Sequence, residues 1–199
     1  MSSRAEILKA VAANQPAFIP LPDTGYFKGA NVDLPGKFIT VLTAIGGRSV
    51  SVNNWAQIAA DIKSHQPDLK RIISVVPELP GLKVEAYIPT PAAHVLADVD
   101  LAIIRAHFAV AENGAIWVTE EIIGNRALPF ICQHLAVVVD IKQIMPTMHE
   151  AYQYLQGQSY GFGTFIAGPS KTADIEQSLV LGAHGPKSMT VYLLSDELH

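Results

Sequence analysis

Apolar and polar positions change period in an orderly way beyond residue 35. Residues 36–46 carry apolar side chains at helical spacing and predict a helix, and 48–52 predict a strand. Residues 54–65 again read as helix, 72–76 as a continuous apolar strand and 84–88 as a further strand. A strand that is apolar at successive positions must be covered on both faces, and this strand–helix–strand rhythm belongs to a parallel sheet. Within 99–118 several apolar runs are broken by Asn113-Gly114, a dipeptide suited to the turn of a hairpin, so antiparallel pairing is expected as well. Leu135 opens another buried-type strand over 135–139. Residues 146–156 predict an amphipathic helix with Pro146 near its start, 164–167 a strand, 174–181 a helix and 190–194 a last strand. The expected class is α/β, an open and mostly parallel mixed sheet with helices on both faces.

The first 35 residues read differently. Ser3 and Glu6 have capping-box spacing, Ile7, Leu8 and Val11 share a helical face suited to packing, and Asn14 before Pro16 stops a helix over 3–14. Residues 15–36 are rich in Pro and Gly and predict an extended connection. The division expected is therefore 1–35 as helix and connection, and 36–199 as the domain proper.

Composition sharpens this picture. Hydrophobic residues make up 49% of the chain and charged ones 16%, against roughly 25% charged in an average globular protein, as a sheet covered on both faces requires. Net charge is −4, and the longest basic run is Lys70-Arg71, so no nucleic-acid partner is expected. The chain shows neither an apolar leader nor a stretch of membrane-spanning length, and a cytoplasmic protein without a membrane span is expected. Cys132 is the one cysteine, which excludes an intramolecular disulfide and a four-thiolate cage. No intrinsic cofactor or metal is expected, and any iron–sulfur cluster must belong to another chain.

Candidate chemistry concentrates near the end of the chain. Gly163 to Glu176 reads as a strand, a Gly168-Pro169 turn and the opening of a helix, with Asp174 and Gln177 at capping-box spacing. Ser170, Lys171 and Thr172 would set hydroxyls and an ammonium beside free N–H groups, which suits a carboxylate or phosphate. The alternative is that these residues merely cap a helix. No Walker A loop and no GxGxxG fingerprint occur. His184, between Gly182 and Gly185, is placed to approach a ligand as a general base, or it is an ordinary loop residue after a helix-ending glycine. Glu112 sits at the hairpin tip, facing a cleft or solvent. Asn125 and Arg126 follow Glu120-Glu121 in a polar loop where Arg126 could clamp a carboxylate. Cys132 reads as core.

Three stretches carry a family resemblance: GTFIAGPSKTADIEQSLVLGAHGPKSMTVYLL over 163–194, EEIIGNRALPFICQHLAVVVDIKQIMPT over 120–147, and DLAIIRAHFAVAENGAIWV over 100–118. In these the chain resembles the protein C-like branch of the lactate utilisation (LUD domain) family. It departs from the family pattern where Asn113 and Ala115 replace threonines and where Arg126 directly follows Asn125. The resemblance implies a fold like that of sugar-phosphate isomerases and CoA transferases. It also implies a role as a non-redox accessory subunit of L-lactate oxidation to pyruvate, working with iron–sulfur and cysteine-rich oxidoreductase subunits. In such a role Gly168, Ser170, Lys171, Thr172, Asp174, Glu176 and Gly185, together with Asn125 and Arg126, are the residues expected from their own chemistry to bind a carboxylate or phosphate-type anion or the partner chains. The competing reading is a stand-alone enzyme of the same fold, transferring an acyl or phosphoryl group or acting like a folate cyclo-ligase, with Glu112 or His184 as acid–base residue. A third is a scaffold whose polar turns are only caps.

Overall fold

A computed structural model describes residues 2–20, 22–23, 25–26, 29, 33–76, 79–88, 92–173 and 179–195. In chain order its elements are α1 (Ser3–Ala13), α2 (Leu34–Ala44), β1 (Arg48–Val52), α3 (Trp55–His65), β2 (Ile72–Ser74) and β3 (Glu85–Ala86). A 3-10 turn (Ala93–Leu96) precedes β4 (Leu101–Arg105), β5 (Phe108–Val110), β6 (Ala115–Thr119), α4 (Glu120–Ile123) and α5 (Leu128–Ile131). The rest comprises β7 (His134–Asp140), β8 (Ile144–Met145), α6 (Met148–Leu155), β9 (Gly163–Ala167), β10 (Lys171–Ala173), β11 (Leu179–Leu181) and β12 (Ser188–Leu194).

Local chemistry starts the helices where the pattern places them. Asp33 accepts a hydrogen bond from Gly36 N at 3.0 Å and opens α2, with Pro35 in the first turn. Asn54 does the same for α3 through Gln57 N at 3.0 Å, and Thr147 for α6 through Glu150 N at 3.2 Å. Each side-chain oxygen satisfies an N–H that has no partner within the helix.

Six parallel strands form one sheet in the order β1-β12-β7-β4-β2-β3. Alternate residues of each central strand feed two different cores. Ala102, Ile104, Leu135, Val137, Val191 and Leu193 face α2, α4 and α5 on one side. Leu101, Ile103, Ala136, Val138 and Tyr192 face α3 on the other. The α/β class with a mostly parallel sheet and helices on both faces is thus the observed one. The antiparallel pairing expected inside that sheet lies in a second sheet, of order β8-β5-β6-β9, whose Asn113-Gly114 turn joins β5 to β6. This second sheet arises from the β4–β7 and β7–β12 crossovers. Its inner face adds Ala109, Ile116 and Val118 to the first core, while Phe108, Trp117 and Phe165 on its outer face pack with α6.

Two expectations are overturned. Helix α1 forms, but none of its residues is buried, and Ile7, Leu8 and Val11 remain exposed instead of packing. No side chain caps it, so the Ser3–Glu6 capping box is not made. The helix expected over 174–181 is also absent where its end is described. Leu179–Leu181 is β11, paired antiparallel with Lys171–Ala173 in the register Lys171↔Leu181, and 174–178 lie outside the described residues. The apolar run Leu179-Val180-Leu181 fits a strand as well as a helix, and ladder pairing with β10 decides for the strand;.

A polar network ties β1, α3 and β12 together. Arg48 donates two hydrogen bonds of 2.6 Å to Asp61, and the Tyr192 hydroxyl donates a third at 2.8 Å. Chiefly through the Arg48 bonds, the Asp61 carboxyl is held below its ordinary value of 3.8. A depressed folded value gives stability that is complete above 3.8 and is lost as pH falls through the folded value;. Acid unfolding followed by circular dichroism is expected to be steeper below that value for the wild type than for Arg48→Gln, and superimposable curves would refute the linkage. By denaturant titration, Leu8→Ser should change stability by less than about 0.5 kcal/mol, while Ile104→Ala should cost about 2–5 kcal/mol.

Candidate functional site

Most of the strongest sequence candidates come together, but at the amino end of the parallel sheet. Ser170 N donates to the Pro186 carbonyl at 2.9 Å, and Gly182 N donates to the Ser170 carbonyl at 3.0 Å. Gly185 packs so closely on Ser170 that an added Cβ would lie 3.0 Å from the Ser170 Cβ. Lys187 N then reaches the Gln133 carbonyl at 2.8 Å. These turns therefore sit just before β12 and β7, not at the carboxyl ends of strands where open α/β sheets place ligands. Lys171 opens β10, so the expected helix N-terminus is not found there. Its ammonium donates to the Ile45 carbonyl at the end of α2, where a cation complements the helix dipole;. Thr172 donates to the Val180 carbonyl at 3.3 Å within the β10–β11 pair. Gly168, at φ 72°, lies against Ile45, whose carbonyl would be 3.1 Å from an added Cβ. His184 is exposed on the adjoining loop. Asp174 and Glu176 lie outside the described residues.

The remaining candidates stand apart from this group. The Glu112 carboxylate accepts Met148 N at 2.7 Å and so serves the first turn of α6. Asn125 accepts Ala127 N at 2.8 Å, shaping the turn between α4 and α5. Arg126 donates to Glu120 at 2.6 Å and lies over the Phe162 ring at 5.3 Å. That bond draws the Glu120 carboxyl below its ordinary value. Arg126 and Gly168 flank opposite ends of β9, because Gly163 pairs with Thr119 and Ala167 with Ala115. Cys132 is buried, and desolvation pushes its thiol up to about 12, so it stays a thiol in the core;.

The carboxyl ends of β2, β3 and β4 instead enclose a cleft of about 680 Å³. Ser74, Val75 and Val76 line it from the end of β2, Val84, Ala86 and Tyr87 from around β3, and Arg105 from the last position of β4. Glu121, Ile122 and Gly124 close the side formed by α4. Each wall has a local cause. The Ser74 hydroxyl donates to the Val76 carbonyl at 2.5 Å and accepts Val76 N at 3.0 Å, bending the chain as β2 ends. Gly124, at φ 76°, lets the Tyr87 ring approach; an added Cβ would come within 2.4 Å of it;. The Arg105 guanidinium lies 5.5 Å from the centre of the Trp55 ring, a face that holds a planar cation;. Its planar fork suits a carboxylate.

Glu121 also lines a smaller chamber of about 100 Å³ with His107, Thr119 and Tyr160. His107 Nε2 and Thr119 Oγ1 are 2.8 Å apart. One side of His107 meets solvent, yet burial of the ring holds its pKa below 6.5, opposed by the charge of Glu121. Sequence reasoning passed over Arg105 and His107 and gave Glu121 no role. The available signal was a charge ending the apolar run LAIIR, since a residue at the carboxyl end of a buried parallel strand points into the ligand crevice of such folds. Among the described residues, no three His, Cys, Asp or Glu side chains converge as a metal site would need.

Fold and cleft define an open α/β protein with a cleft at the carboxyl ends of its strands. Comparison with known proteins narrows this. Residues 89–194, more than half of the chain, match the LUD domain, and the chain belongs to that family. Lactate utilization protein C of Bacillus pumilus (strain SAFR-032) is 32% identical over 102 residues, covering 48% of this chain and 42% of that protein. Lactate utilization protein C of Geobacillus kaustophilus (strain HTA426) is 24% identical over 184 residues, covering 87% of this chain and 73% of its own. The match thus spans less than half the length of the first relative. The solved structure of a DUF162 family protein from Deinococcus radiodurans superposes with a TM-score of 0.62 at 20% identity, over 81% of this chain and 96% of that one, and shows the same fold.

The His107 environment carries a pH signature. With a folded value below 6.5, the unfolded chain takes up the proton first, so stability is lost as pH falls from 6.5 toward the folded value;. Between about pH 7.5 and 5.5 the thermal midpoint of His107→Gln is expected to fall less than that of the wild type. Equal falls would show that burial of the ring has no energetic consequence.

Proposed function

We propose that this chain serves lactate utilisation as a non-redox subunit of an L-lactate-oxidising assembly, holding a carboxylate at Arg105 in the cleft at the ends of β2–β4. The names of the relatives support the pathway. The observation that carries the carboxylate role is the guanidinium at the end of a buried parallel strand, at the place where open α/β sheets hold ligands;. Converting lactate to pyruvate removes two electrons and two protons. The one cysteine of this chain is a buried thiol and cannot cage a cluster, so iron–sulfur and cysteine-rich subunits would take up the electrons;. No described helix is long and apolar enough to cross a membrane, which fits work in an aqueous compartment.

One observation favours a second reading, in which the chain catalyses a small-molecule reaction itself. His107, with Thr119 and Glu121, stands beside the cleft with a lowered pKa, as a proton-transfer residue would;. In that reading His107 takes the acid–base role, since Glu112 is engaged at the start of α6.

Lactate-dependent dye reduction separates these readings. Extracts of a deletion strain are complemented with wild type, Arg105→Gln, Lys171→Ala or nothing, at matched levels of soluble chain. Wild type and Lys171→Ala should restore activity, while Arg105→Gln should leave it at least about tenfold lower. Normal activity without any complementing chain would remove this protein from lactate oxidation and favour the second reading.

A further inference from the structure

The β2–β4 cleft is larger and more apolar than a three-carbon acid requires. At about 680 Å³ it falls within the range of about 300–1,000 Å³ typical of sites that enclose a drug-sized ligand;. Val75, Val76, Val84 and Ile122 form apolar walls, and the Ser74 hydroxyl is already engaged with Val76. Arg105 supplies a cation and Glu121 an anion. Such a lining fits a molecule with one anionic head and a sizeable apolar body, whereas the methyl group of lactate would leave most of the wall wet. A second apolar cleft, of about 590 Å³ between Tyr152 on α6 and Tyr160 beyond its end, contains no Lys or Arg and offers no comparable anchor for an anion.

We propose that the β2–β4 cleft binds an amphipathic organic carboxylate larger than lactate, with its carboxylate on Arg105 and its apolar body along Val75, Val76, Val84 and Ile122. The inference rests on the reading that Arg105 holds a carboxylate, and it adds the size and polarity of what is attached to that group. Straight-chain and aromatic bodies share this chemistry and are separated by the choice of probe.

The test is calorimetric titration of the purified chain with L-lactate, then with 2-hydroxybutyrate, 2-hydroxyhexanoate and 2-hydroxyoctanoate, with phenyllactate as the aromatic arm. 1,2-Octanediol serves as a tail without a carboxylate. Affinity is expected to rise about fourfold per added methylene, the factor equivalent to about 0.8 kcal/mol per buried CH2. The diol should bind at least about tenfold more weakly than the C8 acid. Arg105→Gln should abolish that preference. Ala86→Trp, which fills the cleft at an exposed edge position, should weaken the C8 acid while sparing lactate, and Tyr152→Ser should change neither. Tighter binding of phenyllactate than of the C8 acid would assign an aromatic body, and the reverse a straight chain.

Lactate binding with no dependence on tail length would overturn the inference while leaving the carboxylate reading intact. Failure of every acid to bind would overturn both. Tail dependence that survives both Arg105→Gln and Ala86→Trp would place the binding elsewhere and also overturn the inference.

Discussion

A parallel sheet covered on both faces has no room for charge along its strands, and this constraint shapes the rest of the protein. The central strands β4, β7 and β12 hold no charged residue inside them, so their charged residues and His134 fall at the ends: Arg105 after LAII, His134 and Asp140 around LAVVV, Lys187 just before β12. The uncharged Tyr192 within β12 donates its hydroxyl to Asp61. Burying an unpaired charge mid-strand would cost several kcal/mol. Chemistry is therefore confined to the two edges where the strands begin and finish.

These edges have different uses. At the amino edge, the turns around Ser170 and Gly182–Lys187 satisfy one another through backbone hydrogen bonds, and Lys171 completes the end of α2. Asp100 accepts Arg71 N and Lys70 N, which holds its carboxyl below the ordinary value, and Arg71 is paired with Glu85 and Asp98. Polar groups there pair largely with one another, around a cleft of about 580 Å³ lined by Lys70, Arg71, Asp100, His134 and Lys187. At the carboxyl edge, the bend after β2, the short edge strand β3 and helix α4 leave a space between them, and Arg105 faces it.

The second sheet leads into one side of this space. Its strands arise within the two crossovers that return the chain to β7 and β12, where a plain parallel fold would use helices. It shields the face built from Ile104, Val137 and Val191 and brings Thr119 and Glu121 to the carboxyl edge beside His107. One wall of the site, Glu121, Ile122 and Gly124, thus follows directly on β6 of the covering layer, while the other walls come from β2, β3 and β4.

The local period of the sequence determined most of the elements, because apolar spacing and capping residues act over a few neighbours: Asp33 and Asn54 for the helix starts, Asn113-Gly114 for the hairpin, the unbroken apolar run of β7 for a strand buried on both faces. The one cysteine likewise set what this chain alone can hold. Local signals also misled. The Ile7-Leu8-Val11 face has no surface to cover among the described residues, and the helical spacing after Asp174 yields at Leu179–Leu181 to pairing with Lys171–Ala173. Only the tertiary structure decided the place of the candidate site. Which strand ends lie side by side depends on pairings such as Ile73 with Ala102 and Ala102 with Leu135, made between residues far apart in the chain. Arg105, Val84 and Glu121 share one cleft because strand order brings them together, and no spacing along the sequence encodes that order.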